Sequence, residues 1–280
     1  MSFAIRKLDI KSKLSKNIQT QKNTDKIIEI IKQKTKKLAE LYLNNPINKI
    51  NIPILYINLD MSLERNRYIQ AQIDFYNLQN ITRISGIDGK QKLNGIIQQG
   101  NLDGIEYKNY TGSKFTELGC LLSHIKAIKH AYDNNYSEAL IVEDDCYFGL
   151  MPTWTKNSIL DILSELPSDW EIVALYHNKS IELDKKYTLL QDKSHYNFGT
   201  VAYVINRRGM EKILNDCGND VIDFKNTNLR VADDYIYKLL NTYIYNLSLF
   251  IPINISLKSI VGNGEYTHLK WAVDILDKYI

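Results

Sequence analysis

The spacing of hydrophobic positions along this chain changes several times, and each change marks an element. From Thr24 to Leu43 the apolar residues Ile27, Ile28, Ile31, Leu38, Leu41 and Tyr42 recur at helical spacing, while Lys32, Lys34, Lys36 and Lys37 fill other faces. That pattern predicts an amphipathic helix, stopped before Pro46, which disfavours helical geometry at Asn45. PILYINL (53–59) predicts a short strand, and Ser62 to about Tyr76 a helix carrying Leu63, Ile69, Ile73 and Tyr76. ITRISGIDGK (81–90) predicts a strand ending in a glycine turn, and residues 91–113, rich in Gly and Asn, an irregular loop. Thr116 reads as the N-cap of a helix whose apolar face is Leu118, Leu121, Leu122, Ile125 and Ile128. Further strands are expected at 139–143, WEIVALY (170–176), TVAYVI (200–205) and LSLFIPI (247–253), with helices at RGMEKIL (208–214) and DDYIYKLL (233–240). Strands separated by helices predict a mainly parallel, three-layer α/β sheet.

Composition narrows this picture modestly. A hydrophobic share of 44% and a charged share of 24% describe an ordinary globular chain. No run of 18 apolar residues occurs, so no transmembrane helix is expected, and the basic N-terminus lacks the apolar stretch of a secretory signal. Three widely spaced cysteines, Cys120, Cys146 and Cys217, form no CxxC pair. That fits reduced thiols in a cytoplasmic protein rather than a structural zinc site. The charge is uneven: residues 1–50 carry 12 Lys and Arg against 4 Asp and Glu, and the remainder 23 against 28. Residues 1–50 are therefore expected to be a basic extension, and 51–280 the main domain. The helix at 24–43 is expected to pack on that domain or on a second subunit as a homodimer, with peripheral membrane contact as the alternative. Nucleic acid is not expected as a partner, because no aromatics interleave with the lysines.

The chemistry concentrates in EALIVEDDCYFG (138–149), where an apolar strand runs into Glu143, Asp144 and Asp145. Adjacent carboxylates repel, so a cation must offset them unless the cluster is a solvated turn. In open α/β sheets ligands sit beyond the carboxyl ends of the strands, where this trio falls. All-oxygen ligands suit Mg²⁺ or Mn²⁺. Strand alternation predicts that Glu143 and Asp145 point together while Asp144 points away. No GxGxxG or GxxxxGK[ST] phosphate loop is present.

The ordered segments PILYINLDMSLERNRY, GIDG, TELGCLLSHIKAIKHA, ALIVEDD and GTVAYVINRRGMEKIL together resemble glycosyltransferase family 25 over roughly Ile52 to Leu240. That family includes bacterial lipooligosaccharide galactosyltransferases and collagen galactosyltransferases. The resemblance implies a GT-A-type sheet flanked by helices, a nucleotide-sugar donor (a UDP-sugar), a divalent metal and inverting transfer to a glycan or glycoprotein hydroxyl. It puts Asp145 in the place of the metal ligand, with Glu143 or Asp144 assisting through metal, water or ribose. It implies backbone contacts from Asn58 and Leu59 to the base, phosphate contacts from Arg65 and Arg67, and a nucleoside contact from Asp88. An inverting transfer needs a general base, for which Asp233 and Asp234, at the start of a helix, are the candidates. His124 and Glu117 read as structural groups, and Gly199 and Thr200 stand where an acceptor would approach. The competing reading is a non-catalytic glycan- or nucleotide-binding scaffold that keeps the fold. A phospho-acceptor signalling domain is a third, disfavoured by the long segment before the trio.

Overall fold

The computed structural model describes residues 25–44, 47–89, 99–112, 114–177, 187–190, 199–218, 221–224, 231–253 and 277. Helix α1 covers 25–44. Strand β1 (Ile54–Leu59), helix α2 (Leu63–Phe75) and strand β2 (Ile81–Gly86) follow as the periodicity predicts. A hairpin, β3 (Gly100–Leu102) and β4 (Ile105–Lys108), precedes helix α3 (Phe115–Asp133) and strand β5 (Glu138–Glu143). Next come the short strand β6 (Cys146–Tyr147), a 3-10 turn at Met151–Thr153, helix α4 (Ile159–Leu163) and strands β7 (Ile172–Ala174), β8 (Tyr187–Leu189) and β9 (Ala202–Asn206). The chain continues with α5 (Arg207–Cys217), β10 (Val221–Asp223), α6 (Ala232–Leu239), β11 (Thr242–Tyr245) and β12 (Ile251–Pro252).

Seven strands form the main sheet in the order β2-β1-β5-β9-β7-β11-β8. Strands β2, β1, β5, β7 and β11 run the same way, whereas β9 and β8 are reversed against their neighbours. This is the mixed, mainly parallel sheet that the sequence predicts. The reversal of β9 matters for function, because its first residues arrive at the edge where β5 and β7 end. One face of the sheet is covered by α3, α5 and α6, with Leu118, Leu121, Met210, Ile213 and Tyr235 in a single apolar cluster. The other face buries Tyr56, Leu140, Val142 and Val204 together with α2 and the segment around β6. Helix α1 joins this second cluster through Ile31, Leu38 and Tyr42, and the Tyr42 hydroxyl donates to the Tyr76 carbonyl at 3.0 Å. No helix among the described residues is long and apolar enough to cross a membrane.

Three local expectations are overturned. The stretch 91–113 holds the β3–β4 hairpin, turned at Asp103 and Gly104 with positive φ at both (53° and 81°), and β4 pairs with β10. Asp-Gly between apolar residues is a strong hairpin signal, here outweighed by the surrounding glycines and asparagines. Helix α3 is capped at Lys114 without a side-chain hydrogen bond, so Thr116 lies within its first turn. The last strand of the main sheet is β11, and only Ile251–Pro252 of 247–253 is extended, paired with β6. Tyr and Ile alternate through β11 and favour a strand there, whereas the sequence expectation assigns no element to 241–246.

Candidate functional site

The site lies at the carboxyl edge of the parallel strands. Glu143 ends β5, and Asp144 and Asp145 form a tight turn into β6. A turn suspends the alternation of extended chain, so the expected pairing of Glu143 with Asp145 is not what forms. Asp144 and Asp145 instead converge on Arg65 of α2: Nη2 contacts Asp144 Oδ1 and lies 2.9 Å from Asp145 Oδ2. Arg65 and Asp144 keep only 11% and 8% of their side chains exposed, so this is a buried charge group. The cation that three adjacent carboxylates demand is, within the chain, this guanidinium. Burial opposes the charge on Arg65, yet the nearby Asp145, Asp144 and Glu143 raise its pKa on balance.

The turn is held from both sides. Asn58, fully buried at the end of β1, donates from Nδ2 to Asp144 Oδ2 at 2.7 Å, and its own Oδ1 accepts from Arg83 Nε at 3.0 Å. Arg83 also contacts the Asn58 carbonyl at 3.2 Å and the Asp60 carboxylate. The Leu59 carbonyl accepts from the Ser62 amide at 2.8 Å, so at both residues whose backbone is expected to meet a base the carbonyl already holds an internal hydrogen bond. From α2, buried Gln72 donates to the Cys146 carbonyl and accepts from the Phe148 amide, both at 3.0 Å. Arg65 and Gln72 are seven residues apart, on one helical face, so α2 grips the acidic turn twice. Arg67 is exposed on another face. Asp88 is half-buried just beyond β2, at the same edge of the sheet.

Glu143 turns the other way. Its Oε1 accepts from Thr200 Oγ1 at 2.8 Å and lies 3.6 Å from His124 Nε2, beyond hydrogen-bond range but within ion-pair range. The other ring nitrogen of buried His124 is 3.0 Å from the Tyr203 hydroxyl. Burial works against the Glu143 carboxylate, but His124, Thr200 and Arg65 together hold its pKa below the usual value. Burial pushes the Asp144 carboxyl the other way, to about 7, against the pull of Arg65.

Helix α6 brings in a further carboxyl. Asp233 accepts from the Asp234 amide at 3.1 Å, and burial, then the neighbouring Asp234 and Glu143, push its carboxyl up to about 7. Asp234 is engaged by Lys238 at 2.9 Å along the helix. Asp233 is thus within electrostatic reach of Glu143, while Asp234 is paired with Lys238.

Two donor sets offer themselves to a cation. Asp144, Asp145 and Glu143 supply only carboxylate oxygens against one guanidinium, which suits a hard divalent ion. Cys120, His124 and Glu143 bring ligand atoms within 4.8 Å of one another, a softer set. Burial and then the charge of Glu143 hold the Cys120 thiol far above its ordinary pKa, in the protonated form that does not ligate. By ligand chemistry the carboxylates of the acidic turn suit a hard ion such as Mn²⁺ or Mg²⁺, but Asp144 and Asp145 face Arg65 and Glu143 turns away, so among the described residues the group with ligand atoms gathered at metal spacing is Cys120, His124 and Glu143.

Sequence reasoning singled out Arg65, the trio and Asp233, which the fold brings to one edge of the sheet, but did not single out Asn58 as a side-chain clamp, Arg83, Gln72 or Cys120. Gln72 and Cys120 carry a signal, each being a polar or reactive residue one helical turn from an apolar stripe. Asn58 and Arg83 carry none, because only strand pairing brings them together.

The profile of glycosyltransferase family 25 (LPS biosynthesis protein) matches residues 51–225. Procollagen galactosyltransferase 1-A of Xenopus laevis is 29% identical over 118 residues, 39% of this chain and 19% of that protein. A glycosyltransferase 25 family member of Anopheles gambiae is 23% identical over 192 residues, 64% of this chain and 31% of that one. Procollagen galactosyltransferase 2 of Homo sapiens is 23% identical over 140 residues, covering 47% and 22%. The matched part thus spans less than a third of each of these relatives. Since the family profile runs unbroken from the start of β1 through the acidic turn to β10, well over half of the residues, the chain belongs to glycosyltransferase family 25.

Proposed function

We propose that the chain transfers a hexosyl group from a nucleotide sugar, a UDP-sugar, to a hydroxyl of a glycan or glycoprotein, with inversion and with help from a divalent ion. The observation that carries this reading is the gathering of Asp144, Asp145 and Arg65 at the carboxyl edge of the sheet, with Glu143 and Asp233 on the other side of the same edge. Family membership supports it. The galactosyl relatives point to galactose as the first donor sugar to try.

Asp145, assisted by Glu143 or Asp144, would hold Mn²⁺ or Mg²⁺, which when bound offsets the charge of the departing diphosphate. Arg65 stands next to that position and is the guanidinium available to the diphosphate oxygens. Asp233, with a carboxyl near neutrality, is suited to take the proton of the acceptor hydroxyl. The acceptor oxygen forms its bond to the anomeric carbon from the face opposite the diphosphate. The bond from that carbon to the phosphate oxygen breaks, and the nucleoside diphosphate leaves with the electron pair. The proton ends on Asp233.

Thermal unfolding against UDP-galactose, UDP-glucose and UDP, with Mn²⁺ or with EDTA, tests the reading. A ligand at 100 times its Kd stabilises by about 2.7 kcal/mol, a shift of several degrees. The expected result is a shift from at least one UDP-hexose that EDTA removes and that Asp145→Ala lacks. A cooperative melt indifferent to every nucleotide would favour the non-catalytic scaffold.

A further inference from the structure

Arg65 Nε, the Tyr68 hydroxyl and the Tyr176 hydroxyl are buried donor groups with no hydrogen-bond partner among the described residues. All three are electrostatically coupled to Asp145. A buried donor without a partner is costly, so three that feel the charge of one carboxylate form an unusual concentration. Of these, Tyr176 is the best placed for substrate. It follows β7 at the carboxyl edge of the sheet, and its ring lies against Gly199, where a Cβ would come within 3.3 Å of Tyr176 Cε1. Gly199 leads into reversed strand β9. The Leu175 amide donates to the Ala202 carbonyl and the Glu143 amide to the Val201 carbonyl, both at 3.0 Å. The segment 199–202 is therefore flanked by the ends of β7 and β5, with Tyr176 on one side and Glu143 on the other. Thr200 Oγ1 is bound to Glu143 within the same segment. Tyr176 itself is 1% exposed, while the side chains of Glu143 and Asp145 keep 28% and 24%, so a ligand that reaches those carboxylates arrives at the same edge of the sheet as Tyr176.

Resting on the nucleotide-sugar reading, we infer that Tyr176 contacts the transferred sugar of the donor, giving its hydroxyl proton to a sugar hydroxyl that in turn donates to Glu143 or Asp145. The chemistry selects a sugar hydroxyl over a phosphate. A hydroxyl accepts and donates at once, matching a phenol beside carboxylates. A phosphate oxygen only accepts, so it could take the phenol's hydrogen bond but give none back to a carboxylate. Tyr176 is thus a specificity residue for the hexosyl group and is indifferent to the nucleotide.

Calorimetric titration of the full chain with UDP, UDP-galactose and UDP-glucose in Mn²⁺ compares the native protein with Tyr176→Phe, which keeps the ring. The expected result is unchanged affinity for UDP, about tenfold weaker binding of the UDP-hexose that the native protein prefers, and an undiminished Tm. The tenfold loss corresponds to about 1.4 kcal/mol. Three outcomes overturn the inference: equal losses for UDP and UDP-hexose, no loss for either, or a lowered Tm, which would give the hydroxyl a structural partner. Failure of the native protein to bind UDP or any UDP-hexose would instead remove the nucleotide-sugar reading, and the inference with it.

Discussion

At the scale of single residues, the site is a set of carboxyl groups that burial and partners have driven apart. Glu143 is held ionised by its neighbours, whereas Asp144 and Asp233 are pushed up to about 7. Separation of this kind is what acid–base work at neutral pH requires. As the proposed base, Asp233 would act only when deprotonated, so kcat is expected to rise as pH passes upward through about 7. Asp233→Asn should lower kcat by about 10²–10⁴-fold and flatten that rise, while Asp234→Asn, whose carboxylate is tied to Lys238, should keep the profile. Stability supplies a check on sign. The folded Asp233 carboxyl binds its proton more tightly than the ordinary value of 3.8, so its contribution to stability is lost as pH rises from about 4 to about 7. Asp233→Asn should therefore melt no lower than the native protein above pH 7 in a calorimetric scan. Retention of full kcat in Asp233→Asn would move the base elsewhere.

At the scale of elements, the edge of the site depends on close backbone contact between the loop after β2 and the first turns of α3. The Ile87 amide donates to Ser123 Oγ at 2.8 Å, and that hydroxyl donates to the Gly119 carbonyl at 2.6 Å. A Cβ on Gly119 would lie 2.6 Å from the Ile87 carbonyl oxygen and 2.7 Å from the Gly89 nitrogen. On Gly89 it would lie 1.9 Å from the Phe115 carbonyl oxygen. Both obstacles are backbone, which cannot swing aside as a side chain can. Gly119→Ala is expected to destabilise by about 1–3 kcal/mol, read as a lower urea midpoint at unchanged slope, and to displace Asp88. Full stability in that variant would show that α3 can slide outward without cost.

At the scale of the whole molecule, helix α1 is part of the core although its composition sets it apart. Ile31 and Leu38 are fully buried in the same cluster as Tyr76 and Val142, while Leu41 and Leu43 on the same helix stay exposed. Leu38→Ala should cost about 2–5 kcal/mol through lost burial and the cavity left behind, and Leu43→Ala no more than about 0.5 kcal/mol. Guanidinium denaturation followed by tryptophan fluorescence checks the pair. A Leu38→Ala midpoint equal to that of the native protein would make α1 an appendage. If the cost appears as expected, the basic residues of this helix are carried on the outer side of the main domain.

What the amino-acid order determined by itself was the periodic part. Alternating apolar runs and amphipathic stretches located α1, α2, α3, α5, β1, β2, β5 and β9, because burial of one face imposes a period that can be read locally. The acidic trio was visible too, since three carboxylates after an apolar strand are conspicuous and the carboxyl edge of such a sheet is where ligands bind. Tertiary structure alone decided how those charges are shared. The turn at Asp144 and Asp145 cancelled the strand alternation, Arg65 came to face two carboxylates from another helix, and Glu143 was left to Thr200 and His124. Asn58, Asp144 and Arg83 are remote in sequence and meet only because β2, β1 and β5 are neighbours in the sheet. Periodicity is a property of consecutive residues, whereas a pKa or an ion pair belongs to whatever the fold places nearby.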